Sequence, residues 1–119
     1  MNLDNKIKTK IINHQAITEE ELKAFIDYII YKSNIITQHM TNIKSYTQIN
    51  LCNEILWSHN LDSTIYHHHN KYYCIFNIND KDYLLDIDFK DNRLPSLSKN
   101  KYIELTNEIY NKYLEVIGG

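Results

Sequence analysis

Two β-rich runs, 64–78 and Tyr83 to Phe89, flank the polar stretch Asn79-Asp80-Lys81-Asp82. So short a polar gap closes only an antiparallel pair, because a parallel return needs a crossover of a dozen residues or more. Read as one strand, the first run puts His68, Tyr72, Cys74, Phe76 and Ile78 on one face. The other face then carries His67, His69, Lys71, Tyr73, Ile75 and Asn77. The return strand sets Asp86 and Asp88 on one face, and Asp91, Asn92, Arg93 and Pro95 break the sheet after it.

Helical patterns lie on both sides of the hairpin. Thr18 with Glu21 forms a capping box, Ile17 with Leu22 the staple around it. Leu22, Phe25, Ile26, Ile29 and Ile30 follow at helical spacing, which predicts a helix over 19–32. Residues 1–16 hold Ile7, Ile11 and Ile12 among lysines and read as a loose arm or a short first helix. Ile36, Met40 and Ile43 give a weak stripe with Ser33 as its cap. A further helix opens at Asn50, buries Leu51, Ile55 and Leu56, and closes near Asn60. Ser96 or Ser98 caps a last helix over 99–116 with the stripe Tyr102, Leu105, Ile109, Tyr113 and Val116.

The expected fold is therefore α+β: N-terminal helices, a small antiparallel sheet built on one hairpin, and a C-terminal helix. Residues 1–17 form an arm and 18–117 a single domain, which suits a chain of 119 residues. Two glycines and one proline are too few for an all-β chain rich in turns.

The charge balance removes some function classes. A net charge of −2 with no basic stripe argues against a nucleic-acid partner. No apolar run reaches the roughly 18 residues of a membrane span, and the N-terminus lacks the apolar core of a secretory signal. The chain is expected in the cytoplasm, or as an effector delivered without a classical signal peptide. His67 and His69 share a face and Asp86 or Asp88 supplies a third ligand type, but no signature spacing accompanies them. No metal and no other cofactor is expected.

Cys52 carries the sharpest chemical expectation. If Asn50 caps its helix, Cys52 sits in the first turn, where backbone N–H groups and the positive helix end favour a thiolate. With the turn centred near Asp80, His69 falls opposite Asp88 and within diagonal reach of Asp86. A carboxylate there would hold the imidazole in one tautomer. The plainer alternative makes Cys52 a small core residue and the histidines exposed strand residues. Cys74, mid-strand among Tyr, Ile and Phe, reads as core.

The order helix-borne Cys, His, short turn, then Tyr83-Leu84-Leu85-Asp86 resembles the papain-like superfamily in its small bacterial versions, among them transglutaminase-like proteins and effector glutamine deamidases. The likeness covers about a third of the chain. It implies a papain-like core and a Cys52, His69, Asp86 triad, with Asn50 and Gln48 supporting the oxyanion and Asp88 as the alternative acid. Cys52 would attack a carbonyl or carboxamide, with His69 moving the proton, in a thiol peptidase or deamidase of toxin or effector type. A protein substrate and a cognate immunity protein are the partners it implies. Three departures stand out. Lys71 occupies the family's usual His position, Leu51 replaces the small residue before Cys, and the aromatic Trp57 lies five positions beyond it. The alternatives are a non-catalytic binding module, such as an immunity or inhibitor protein, and a ribonuclease toxin using His67 or His69 with Lys71 or Tyr72.

Overall fold

The computed structural model describes residues 3–39 and 45–118. Its elements run α1 (Leu3–Ile12), α2 (Glu19–Thr37), α3 (Ser45–Ser58), β1 (Ser63–His68), β2 (Lys71–Ile78), β3 (Lys81–Leu85), α4 (Pro95–Asn100), β4 (Tyr102–Glu104) and α5 (Asn107–Gly118). The layout is α+β: N-terminal helices, a four-stranded antiparallel sheet in the order β1-β2-β3-β4, and a C-terminal helix.

Alternation along β2 and β3 divides the interior. Cys74, Phe76, Ile78, Tyr83 and Leu85 join Ile7, Phe25, Ile26, Ile29, Ile49, Cys52 and Leu56 in the larger core, beneath α1, α2 and α3. Tyr73 and Leu84 point the other way, into a second core with Phe89, Leu94, Leu97 and Tyr113 beneath α4 and α5. Each fully buried aliphatic or aromatic side chain contributes roughly 1.5–3 kcal/mol, so both faces of the sheet are held by apolar burial.

The capping box at Thr18 and Glu21 forms as expected, with both of its hydrogen bonds at 3.1 Å. The helix it starts runs five residues past Lys32, to Thr37. Ser33 does not cap a new helix: its hydroxyl donates to Ile30 O at 2.7 Å, and Thr37 bonds Asn34 O in the same way. Hydroxyls satisfied on the preceding turn let a polar continuation stay helical. Met40 and Ile43, expected to share a stripe with Ile36, lie outside the described residues. The arm folds as a helix and docks by Ile7, which is fully buried.

Three boundaries in and after the hairpin also differ from expectation. The run 64–78 is two strands, not one, joined by His69 and Asn70 with φ of 48° and 63°. Asn79 and Asp80 make the same two-residue turn, at 58° and 60°, before β3. Positive φ at both central positions matches the twist of the flanking strands. β3 ends at Leu85 because the Asp86 carboxylate accepts the Asp88 N–H at 3.1 Å and bends the chain. The expected helix over 99–116 is interrupted as well. Lys101, at φ 68°, closes α4, and Tyr102–Glu104 pair with Tyr83–Leu85 before α5 begins.

Candidate functional site

Cys52 lies in the middle of α3, not in its first turn, because that helix starts at Ser45. Ile49, Cys52, Asn53 and Leu56 repeat at helical spacing and are all buried. The thiol is sealed, and burial pushes it up to about 11, with the Ser33 hydroxyl opposing only in part. Cys74 is likewise buried and pushed up to about 12. Both cysteines are free. A thiol raised in this way is almost wholly protonated near neutrality and is a poor nucleophile.

Asp86 belongs to the other face of the sheet. It is buried, and Tyr113 Oη donates to Oδ2 at 2.7 Å while Lys71 Nζ stands 3.2 Å from Oδ1. Burial raises its pKa above the ordinary carboxylate value even though Tyr113, Lys71 and the Asp88 N–H all favour the charged form. The cation that meets Asp86 is therefore Lys71, where the papain-like pattern has histidine.

His69 is a turn residue, exposed, at the tip of the β1–β2 hairpin. Its ring meets His68 edge-on at a centroid distance of 4.3 Å and packs beside Gly118, where an added Cβ would stand 3.1 Å from Cδ2. It is not opposite Asp88, which lies beyond the end of β3. The structure thus brings Asp86 and Lys71 together and leaves Cys52 across the sheet from them. The sheet separates the sulfur from the carboxylate, so the Cys52, His69, Asp86 constellation does not assemble. Gln48 and Asn50 are spent within the helices: Gln48 donates to Ser33 Oγ at 3.1 Å, and Asn50 reaches Glu54 at 3.4 Å.

The two-residue turn also resets the strand faces. His68 pairs with Lys71, and His67 pairs with Tyr72 and stacks on its ring at 4.3 Å. His67 therefore shares a face with Tyr72, and His67 and His69 are not two ligands on one strand face. Among the described residues no group of three or more His, Cys, Asp or Glu could hold a metal ion.

Among the described residues two clefts stand out at the surface. One of about 340 Å³, beside α5, is lined by His69, Lys71, Asp88, Lys90 and Val116 among others. Two of its charges are matched, Lys71 by Asp86 and Asp91 by Arg93 at 2.8 Å. The other, about 370 Å³, lies where Ile17, Asn60, Leu61 and the Asn79–Asp80 turn meet.

Sequence reasoning missed the surroundings of β1. Trp57, Tyr46 and Tyr66 are large side chains left exposed. The Trp57 indole donates to Ser63 O at 2.8 Å, at the start of β1. Tyr46 meets the Tyr72 ring at 5.1 Å and Tyr72 stacks on His67, while on the opposite face Tyr66 stacks on Tyr73 at 5.5 Å. These form a belt of aromatic rings around an outer strand. The alternation at Ile65, Tyr66 and His67 is visible in the sequence, but Trp57 and Tyr46 join the belt only through the packing of α3. No helix among the described residues is long and apolar enough to cross a membrane.

Comparison with known proteins finds no match to a family model, to a curated protein or to a solved structure.

Proposed function

We propose that this chain is a non-catalytic protein-binding module, of the kind that serves as an immunity or inhibitor protein. The observation that carries this reading is the aromatic belt of Trp57, Tyr46, Tyr72, His67 and Tyr66 around β1. Tyr and Trp are enriched where proteins bind one another, because each supplies a large rigid contact and a polar tip. The sealed thiols support it from the other side: with Cys52 pushed up to about 11, acyl transfer has no ready nucleophile. On this reading the papain-like resemblance of residues 50–89 reaches the order of elements and not the chemistry.

The test is calorimetric binding to the protein encoded beside this chain, with Cys52→Ala and His69→Ala. Both variants should bind as the parent does, while Trp57→Ala should lose affinity on the order of tenfold or more. Turnover of a peptide or glutamine substrate that vanishes in Cys52→Ala would overturn the reading.

One observation favours a second reading. His69, Lys71 and Lys90 share the cleft beside α5, an arrangement usable for phosphodiester cleavage. Degradation of RNA by the parent but not by His69→Ala would establish it.

A further inference from the structure

We propose that the outer edge of β1 takes up an extended segment of a protein partner as a fifth strand. Ile65 and His67 supply the backbone contacts, and Trp57 marks where the added strand ends. The inference deepens the binding reading above and rests on it.

Two hydrogen bonds fix which way the backbone of β1 faces. Asp62 O accepts from Asn77 N at 2.9 Å, so that carbonyl points into the sheet. One residue on, Ser63 O points outward and accepts the Trp57 indole at 2.8 Å. Alternation then turns Thr64, Tyr66 and His68 toward β2, and turns the N–H and C=O of Ile65 and His67 outward. Among the described residues β1 pairs only with β2, and these outward groups have no protein partner.

A free edge usually carries a guard against pairing: a short strand, a charge, a proline or a bulge. The opposite edge has the first two. β4 is three residues long, and its Glu104 pairs with Lys81 at 3.3 Å. β1 reads Ser-Thr-Ile-Tyr-His-His, with no acid, lysine or proline, and pairs in unbroken register from Ser63 to His68. Among the described residues the one blocked position is Ser63, where the indole stands.

The chemistry of the edge names its occupant. Outward N–H and C=O groups repeating every second residue are matched by another extended backbone and by little else. Side chains of the added strand would meet Ile65 and the His67–Tyr72–Tyr46 rings on one face and the Tyr66–Tyr73 pair on the other. The segment is therefore uncharged there, with apolar or aromatic residues on both faces. The indole disfavours a second copy of this chain. With Ile65 on a two-fold axis, the His67 N–H needs the Ser63 carbonyl that Trp57 already holds. With Tyr66 on the axis, the His69 turn of one copy runs into the indole of the other.

The probe is a displayed library of short random linear peptides selected on the intact chain. At saturation with a selected peptide, amide exchange at Ile65 and His67 should slow on the order of tenfold or more. Ile65→Pro removes an outward N–H that the sheet does not use. It should weaken binding roughly tenfold relative to Ile65→Ala, which shares the side-chain loss and keeps the N–H. Peptides that bind with no change at Ile65 and His67, and equally to both variants, would remove the added strand and leave the binding reading standing. A library that yields no binder, or a dimer of this chain that Ile65→Pro dissolves, also overturns the proposal. The binding reading itself fails separately, on Cys52-dependent turnover.

Discussion

Tyr113 and Asp86 meet inside the smaller core: the phenol donates to Oδ2 at 2.7 Å and ties α5 to the chain leaving β3. Asp86 is a buried carboxylate whose pKa is raised by burial, with Tyr113 the largest influence holding it down. Removing that donor leaves a charged oxygen short of a partner. Tyr113→Phe should cost about 1–3 kcal/mol in denaturant unfolding near pH 7. The sign of its pH dependence follows. An acid with a raised folded pKa contributes most below its unfolded value, and that contribution is lost as pH rises through the folded value. Tyr113→Phe raises Asp86 further, so the gap between variant and parent should narrow as pH falls toward 4 and widen above it. A gap independent of pH would show that the bond carries no charge effect.

The thiols should be silent until the chain opens. Cys52 and Cys74 are fully buried and pushed up to about 11 and 12. Labelling of the native protein by iodoacetamide should be far slower than that of the denatured chain and should show no preference for Cys52. Both groups also bind protons more tightly when folded, so stability should decline above about pH 9, where unfolded thiols ionise. Fast native labelling confined to Cys52 would contradict the sealed core.

Asn79 does two jobs that separate cleanly. Its amide donates to Ile17 O at 2.6 Å and accepts from Ile17 N at 2.8 Å, clamping the start of α2 onto the β2–β3 turn. Its backbone holds φ at 58°. Asn79→Ala loses the clamp and adds strain, for about 2–4 kcal/mol in all. Asn79→Gly loses only the clamp and should be the milder variant by chemical denaturation. The reverse order would mean that the turn, not the clamp, tolerates substitution.

Asp4 and His59 hold α1 against the body. His59 is buried, its Nε2 lies 2.5 Å from Asp4 Oδ1, and its Nδ1 faces Ile55 O at 2.8 Å. Asp4→Ala should free α1 before the rest, with amides across Leu3–Ile12 exchanging faster while the sheet stays protected. Uniform acceleration through the chain would show that α1 is part of the main cooperative unit.

Where the signal was local, it was legible. The Thr18–Glu21 box, the stripe from Leu22 to Ile29 and the turn at Asn79 rest on contacts within a few residues. The α+β layout followed from them. The break at His69–Asn70 carries no glycine to mark it, although asparagine tolerates the left-handed region that the turn needs. Tyr102 falls in step with α5, which predicts helix; β4 is a strand because its backbone groups find β3. Asn50 looks like a cap and predicts Cys52 at a helix tip, yet Ile49, Cys52 and Leu56 carry the period of a buried stripe.

By itself, then, the order of residues determined the elements whose signals are local, such as the start of α2 and the turn at Asn79, since caps, periodicity and positive-φ positions act over one or two turns of chain. Only the tertiary structure decided which groups meet. Alternation sends Cys74 into one core and Tyr73 into the other, and α3 and α5 cover opposite faces. That division put the Cys52 sulfur and the Asp86 carboxylate on different sides of the sheet, because apolar burial on both faces outweighs any local preference of a single polar side chain.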